Sequence, residues 1–267
     1  MARCAPKVPT LGGCSLFWPG AAGRRIVGAA MTETAAVPGT AAETVPADAD
    51  RPIRTFHPRR GRMSSRHADA HAALWPTLGL TVLDGDRTPL DLPELFGRDA
   101  PTVLEIGFGM GDATAAMAAA DPERNYLAVE VHTPGLGNLL ALAGELSLTN
   151  LRVAEGDAMQ LVHRLAPASL DAVHVYFPDP WPKARHHKRR LIQPGNVTLL
   201  RERLHPGGVL HCATDWPEYA EAMAETLNAD PGLRRLPSTP HPRPETKFER
   251  RGTEAGRPIT DLRYARA

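Results

Sequence analysis

The residues best suited to chemistry lie in one stretch, Leu170–Arg190, which reads LDAVHVYFPDPWPKARHHKRR. Its apolar run Ala172–Phe177 predicts a buried strand that ends at the turn signal Pro178-Asp179-Pro180. The turn carries one carboxylate, Asp179, and one aromatic ring, Trp181. A carboxylate at the carboxyl end of a strand, followed by a cationic loop, suits a reaction on a base that is held through its phosphates.

Basic residues are segregated into two segments that contain no acid. Lys183–Arg190 holds five Lys and Arg residues, and Arg51–Arg66 holds six arginines, whereas acids gather in Asp84–Asp99 and Glu218–Asp230. The whole chain has 31 Lys and Arg against 30 Asp and Glu, so its net charge of +1 indicates no partner. One charged run is usually a solvated face, but two acid-free runs favour a polyanionic partner.

The segments that must position these residues alternate between strand and helix. Strands are predicted at Thr102–Ile106, Tyr126–Val131, Leu151–Ala154, Ala172–Phe177 and Val209–Ala213. Helices are predicted at Ala113–Ala120 with Asp112 as N-cap, around Leu136–Ala143, and at Met159–Leu165, Gly195–Leu204 and Pro217–Ala229. This alternation predicts an α/β fold with a doubly wound, mostly parallel sheet, to which Leu233–Ala267 adds closing strands.

Composition divides the chain near residue 50. Residues 1–50 are rich in Ala, Pro, Gly and Thr and have almost no apolar period, which predicts a disordered tail; alternatively the chain begins at Met31. We therefore expect one domain over residues 51–267, with Arg51–Arg66 as an extended basic arm. The three cysteines of the whole chain form no CxxC pattern, and no apolar stretch would cross a bilayer. These features predict a cytoplasmic protein with neither a metal site nor a membrane partner.

A glycine-rich turn follows the first predicted strand, with glycines at 107, 109 and 111. A dinucleotide fingerprint would have a sixth-position glycine where this chain has Asp112, whose carboxylate would repel a pyrophosphate. A nicotinamide cofactor is therefore disfavoured. A glycine-rich turn among acids suits a cationic ligand without phosphate, and S-adenosylmethionine is such a ligand.

Acids lie at the ends of the next two strands. Glu130 is placed to accept hydrogen bonds from both hydroxyls of a ribose. Asp157 is placed to accept a hydrogen bond from an adenine amino group. Glu105 lies inside the first strand, where it is either a structural residue or a buried charge that needs a partner.

Five motifs resemble those of the bacterial tRNA (guanine-N7-)-methyltransferases over about residues 51–265. They are LEIGFGMG (Leu104–Gly111), VEVH (Val129–His132), FPDPWPKARHHKRR (Phe177–Arg190), ATDW (Ala213–Trp216) and TKFERRG (Thr246–Gly252). Without the resemblance, the Thr246 segment is interpreted as an ordinary exposed strand. The resemblance implies a class I methyltransferase (Rossmann-like) fold, a seven-stranded sheet with helices on both faces, and methyl transfer from S-adenosylmethionine. The implied acceptor is N7 of the guanosine in the tRNA variable loop (position 46).

The resemblance also implies roles for individual residues. The implied cofactor site consists of Glu105, Gly107, Gly109, Gly111, Glu130, Asp157 and Asp179. The implied substrate contacts are Lys183, Asp215, Thr246, Lys247, Phe248 and Glu249. The implied RNA contacts are Arg185, His186, His187, Lys188, Arg189 and Arg190.

Methylation at N7 makes the purine cationic, so a carboxylate beside it would stabilise the transition state. Asp179 is the first candidate for this catalytic role. Asp215 and Glu249 are candidates to accept from the guanine N1–H and amino group, although Asp215 alternatively caps the following helix. Trp181 either stacks on the base or anchors its loop.

Two alternative functions stay open: an RNA-binding protein on a methyltransferase fold, and a methyltransferase for another substrate. The expected partner is tRNA, and the expected protein is a monomer or a homodimer.

Overall fold

The structure is a computed structural model that describes residues 53–57, 61–237 and 243–267. The predicted disorder of residues 1–50 lies outside the described residues, as do 51, 52 and 58–60 of the predicted arm. All described residues belong to one compact unit, Arg51–Ala267. The domain boundary near residue 50 stays a prediction.

Eight strands and eight α-helices make up the described part of the chain. The strands are β1 (Gly79–Thr81), β2 (Thr102–Ile106), β3 (Asn125–Glu130), β4 (Leu151–Glu155), β5 (Leu170–Tyr176), β6 (Leu204–Thr214), β7 (Leu233–Arg235) and β8 (Thr260–Arg266). The helices are α1 (Ser65–Leu78), α2 (Leu92–Phe96), α3 (Asp112–Ala120), α4 (Thr133–Glu145), α5 (Ala158–Arg164), α6 (Pro194–Arg203), α7 (Pro217–Ala229) and α8 (Lys247–Glu254). A short 3-10 helix, Ala184–Arg189, follows the turn after β5.

The strands form one sheet in the order β1-β4-β3-β2-β5-β6-β8-β7. The first six strands along the chain pair in parallel, and β8 pairs antiparallel with both β6 and β7. The sheet is therefore doubly wound and mostly parallel, as expected. The expected count of seven strands is wrong by one, because the three-residue strand β1 pairs with β4 at the sheet edge.

Both faces of the sheet are covered by helices. Alternate residues of β2 point to opposite faces, so Leu104 belongs to one apolar cluster and Val103 to the other. Every residue of β2 is buried, which explains why its sequence is a continuous apolar run interrupted only by Glu105.

Three local predictions differ from the structure. Asp112 is the first residue of α3 and not its N-cap, which is Gly111 at φ 82°. Helix α6 begins at Pro194, since a proline fits the first turn of a helix and does not force a later start. Ser65 and Arg66 belong to α1, so the extended part of the basic arm ends earlier than predicted.

Helix α8 also replaces the exposed strand that the local pattern alone suggested. Thr246 and Glu249 form a capping box at its start. This local signal stabilises the start of a helix although the segment contains few apolar residues. None of the helices in the described ranges is long and apolar enough to cross a membrane.

Candidate active site

A cavity of about 350 Å³ opens at the carboxyl ends of β2, β3 and β5. In the sheet, β2 lies between β3 and β5, and the chain reverses its winding direction there. Open α/β sheets bind ligands at such a switch point. The cavity is lined by the glycine loop 107–111, arm residues 55–57, the turn after β5 and the start of α8.

The glycine loop is held in place by Glu130 at the end of β3. Glu130 Oε2 accepts a hydrogen bond from the Gly109 amide at 2.9 Å, and its Oε1 accepts from the Val131 and His132 amides at 2.6 and 3.1 Å. Gly107 and Gly109 have φ angles of 79° and 61°, which residues with a Cβ rarely adopt. Glu130 therefore shapes the loop and also presents its carboxylate to the cavity.

Glu105 is a buried carboxyl group on the cavity wall. Its side chain lines the cavity, and its Oε2 atom has no hydrogen-bond partner among the described residues. Burial raises the pKa of Glu105 to about 7; the nearby Thr114 hydroxyl opposes this shift and the Glu130 charge adds to it. A buried acid with one unpartnered carboxyl oxygen in this position suits a ligand that brings a positive charge into the cavity.

Asp157 caps a helix and is not among the residues that line the cavity. Its Oδ1 accepts a hydrogen bond from the Met159 amide at 2.8 Å at the start of α5. Burial raises the pKa of Asp157, although the Met159 and Gln160 amides oppose the shift. Its neighbours Gly156 and Ala158 do line the cavity. An adenine contact by Asp157 therefore stays a prediction.

The turn that carries Asp179 is strained at both ends. Phe177 and Trp181 have φ angles of 52° and 46°, in the left-handed region that costs a non-glycine residue about 1–3 kcal/mol. The Phe177 amide donates to the Ala213 carbonyl at 2.8 Å, which ties the turn to the end of β6. Between these two residues Asp179 lines the cavity. The strained residues thus flank Asp179, the residue predicted to be catalytic.

Trp181 anchors the arm and does not stand free as a stacking platform. It is 4% exposed, and its Nε1 donates to the Thr55 carbonyl at 3.3 Å. The Arg189 guanidinium lies 3.7 Å from the centroid of its ring and donates to the Arg54 and Phe56 carbonyls, both at 3.1 Å. Since arm residues 55–57 line the cavity, Trp181 and Arg189 hold one of its walls in place.

The predicted RNA contacts divide by exposure. Lys183, Arg185 and Lys188 are exposed, whereas His186 and His187 are half-buried. Arg190 is only 2% exposed, and its guanidinium donates to both carboxylate oxygens of Glu218. Arg190 is therefore buried and paired with the half-exposed Glu218, and it is not part of the exposed basic surface. Its expected RNA contact stays a prediction.

The two carboxylates expected to read guanine are both paired with arginines. Asp215 Oδ2 accepts from Arg257 Nε at 2.8 Å, and Asp215 does not cap α7, whose N-cap is Trp216. Glu249 is engaged by Arg243 and by its capping box. Neither carboxylate is among the cavity-lining residues.

Helix α8 reaches the cavity through its first residues. Thr246, Lys247 and Phe248 line it, and Phe248 is 45% exposed. A Cβ added to Gly109 would lie 3.6 Å from Phe248 Cε2, so the ring faces the glycine loop. Lys183, by contrast, is not among the lining residues.

Sequence reasoning missed the two arginines that fix α8. Arg243 forms ion pairs with both Glu249 and Asp261, and Arg257 forms an ion pair with Asp215. The sequence offered only a weak signal, the nine cations against four acids in Leu233–Ala267. Within the described ranges, no group of three His, Cys, Asp or Glu side chains is arranged to hold a metal ion.

Comparisons with known proteins show which family this chain is similar to. Residues 99–262 match the family described as "Putative methyltransferase". A tRNA (guanine-N(7)-)-methyltransferase of Streptomyces avermitilis is 54% identical over 224 residues, which cover 81% of this chain and 76% of the relative. That of Halorhodospira halophila is also 54% identical, over 80% of this chain and 95% of the relative. Among solved structures, an rRNA methylase from Streptococcus thermophilus aligns with 77% of this chain and 99% of its own, at 15% identity and a TM-score of 0.45.

A glycine loop, the buried acid Glu105 and the Asp179 turn thus surround one cavity, in a chain 54% identical to two tRNA (guanine-N(7)-)-methyltransferases over about 80% of its length. The chain belongs to the tRNA (guanine-N7-)-methyltransferase family, whose members are S-adenosylmethionine-dependent enzymes.

Proposed function

We propose that this enzyme methylates N7 of the variable-loop guanosine of tRNA (position 46), with S-adenosylmethionine as donor. The observation that supports this best is that the glycine loop, Glu105 and Asp179 line the same cavity. Cytoplasmic tRNA is the proposed substrate.

The residues around the cavity fit S-adenosylmethionine. Glu105 Oε2 is a buried acceptor without a partner among the described residues, which suits the amino group of the methionine part. A Cβ added to Gly107 would meet nothing within 4 Å, so there is open space above the loop. Glu130 would accept from the ribose hydroxyls while it holds the loop through Gly109. When bound, S-adenosylmethionine supplies an electrophilic methyl group.

Guanine N7 has a free lone pair, so the enzyme does not need a base to remove a proton. The protein's task is to orient the purine and to exclude water from the cavity. The purine gains positive charge as it is methylated, and the Asp179 carboxylate stabilises that charge more in the transition state than in the ground state. The strained turn fixes Asp179 at the cavity before the substrate arrives.

The exposed cations Lys183, Arg185 and Lys188 would bind tRNA phosphates outside the cavity. A methyltransferase for a small molecule would have no use for them. An RNA-binding protein without activity would not need an unpartnered acid such as Glu105 in its cavity.

The direct test is incubation of the purified protein with labelled S-adenosylmethionine and unmodified tRNA, followed by mapping of the labelled nucleoside. We expect one 7-methylguanosine in the variable loop, and no label in a tRNA that carries 7-deazaguanosine there. Binding of tRNA without label would favour the RNA-binding alternative. Label on another nucleoside, or only on another class of substrate, would refute the proposed acceptor.

A further inference from the structure

We propose that Arg251 joins Lys247, which the family resemblance already implies as a substrate contact, in a phosphate clamp at the cavity mouth. This clamp holds the backbone of the RNA next to the target nucleotide. Both side chains are exposed and both line the cavity. They are four residues apart on α8, so they lie on the same helix face. This inference rests on the proposed function, because it specifies how that substrate is held.

Arg251 differs from other arginines of the C-terminal segment. Arg243 and Arg257 are tied to carboxylates, and Arg250 donates to Glu245 Oε2 at 3.0 Å. Among the residues that the structure describes, the side chains of Arg251 and Lys247 have no hydrogen bond or ion pair. Their donors are therefore available to a ligand at the cavity.

Two like charges four residues apart on a helix repel each other and destabilise it. An anion bound between Lys247 and Arg251 would relieve that repulsion. The capping box occupies two of the backbone amides at the start of α8, since Thr246 Oγ1 accepts from the Glu249 amide and the Glu249 carboxylate accepts from the Thr246 amide. The two exposed side chains supply the positive charge for this anion.

The exposure of the two cations favours an RNA phosphate over the carboxylate of the cofactor as their ligand. A base can enter a cavity of about 350 Å³ only if its nucleotide is turned out of the stack, which leaves the sugar and phosphates at the mouth. Exposed side chains at the mouth meet these phosphates. Buried Glu105 and the glycine loop form the part of the site suited to the cofactor.

The test compares three variants of the full chain, Arg251→Gln, Lys247→Gln and Arg250→Gln. Arg250 is the matched control, because it is adjacent on α8, has the same charge and is paired with Glu245. We expect Arg251→Gln and Lys247→Gln each to raise the KM for tRNA roughly threefold to tenfold and to reduce the salt slope of tRNA affinity by about one. The kcat at saturating tRNA and the Kd for S-adenosylmethionine should stay within about twofold, which is the signature of uniform binding.

Two outcomes would overturn the clamp. One is an equal effect of Arg250→Gln and Arg251→Gln, which would indicate only general attraction to RNA. The other is a weaker Kd for S-adenosylmethionine with unchanged tRNA affinity, which would assign the pair to the cofactor carboxylate. Melting temperatures of all three variants control for folding. Failure of the proposed function is seen separately, as wild-type protein that binds tRNA but transfers no methyl group.

Discussion

Arg190 donates to Glu218 through both arms of its guanidinium, with Nη1–Oε1 and Nη2–Oε2 distances of 2.9 and 2.5 Å. The same guanidinium lies 4.6 Å from the centroid of the Tyr219 ring on α7. Arg190, the last cation of the basic segment Lys183–Arg190, is therefore buried in the protein, although the sequence suggests one continuous basic surface. Lys188, two residues earlier, is exposed.

This division predicts opposite phenotypes within one basic segment. Arg190→Ala should destabilise the protein by about 1.5–3 kcal/mol, the usual contribution of hydrogen bonds to a charged group, and leave the salt slope of tRNA binding unchanged. Lys188→Ala should reduce the salt slope by about one and leave the melting temperature unchanged. Thermal unfolding and tRNA binding over a salt series measure both. If Arg190→Ala reduced the salt slope of tRNA binding without loss of stability, Arg190 would be an RNA contact after all.

The sequence predicted the sheet well because its central strands are buried on both faces. Strand β2 and helix α7 begin and end where expected, since a continuous apolar run and a regular amphipathic period are local signals. The carboxyl ends of parallel strands meet at one edge, and Glu105, Glu130 and Asp179 line one cavity there, whereas Asp157 does not.

The pairing of charged side chains could not be predicted in the same way. Arg190 and Glu218 are 28 residues apart, and Arg257 and Asp215 are 42 apart. A basic run looks the same in sequence whether its members face solvent, another loop or a carboxylate on a distant helix. The roles expected for Asp215 and Glu249 came from their motifs, and the motifs do not show the arginines that engage them.

Glu105→Gln should make the stability of the cofactor-free protein less dependent on pH. The pKa of Glu105 is raised from 4.5 to about 7 by burial, so the native state favours the protonated acid and loses stability as the pH rises from 4.5 through 7. At pH 8 the variant should be more stable than wild type by about 3 kcal/mol, and at pH 4.5 the two should be equal. Urea unfolding at both pH values measures the difference.

The same variant should bind S-adenosylmethionine more weakly at pH 8, because it lacks the negative charge for the cofactor's amino group. A stability difference that is constant from pH 4.5 to 8 would show that burial does not raise the pKa of Glu105 in the cofactor-free protein.

Asp179→Asn should abolish most of the methyl transfer without preventing binding. Removal of a preorganised electrostatic group at the reacting atoms typically lowers kcat by about 10²–10³-fold. The Kd values for tRNA and S-adenosylmethionine should stay within about threefold, and single-turnover rates should show the loss in the chemical step. An equal loss of tRNA affinity would reassign Asp179 from catalysis to RNA docking.

Arg243→Lys should loosen α8 from the sheet. Arg243 bridges Glu249 and Asp261, and a lysine cannot bond both carboxylates in the same fork geometry. We expect a higher KM for tRNA and faster proteolysis within Lys247–Glu254, with little change in the Kd for S-adenosylmethionine. Arg201→Lys is the matched control, since Arg201 pairs with Asp230 and neither residue lines the cavity.

Arg243 also affects the titration of Asp261. Burial raises the pKa of Asp261, but the hydrogen bonds from His211 and Arg243 outweigh that effect and lower it from 3.8 to about 2. This lowered pKa contributes stability above pH 3.8 that is lost as the pH falls through about 2. In Arg243→Lys the midpoint of acid unfolding should therefore move to higher pH. An unchanged midpoint together with an unchanged KM would show that Arg243 does not hold α8.

Trp181→Ala should release the arm, and the consequence separates anchoring from base stacking. The substitution removes the hydrogen bond to the Thr55 carbonyl and the ring beneath the Arg189 guanidinium, so the backbone around Arg54 becomes accessible. Trypsin should then cleave at Arg54 faster than in wild type even when no RNA is present. Trp181→Phe, which keeps a ring but has no indole N–H, should give an intermediate rate.

If Trp181 stacked on the base instead, Trp181→Ala would leave cleavage of the free protein unchanged and would weaken only the binding of tRNA. Since the ring is 4% exposed in the free protein, we expect the first result.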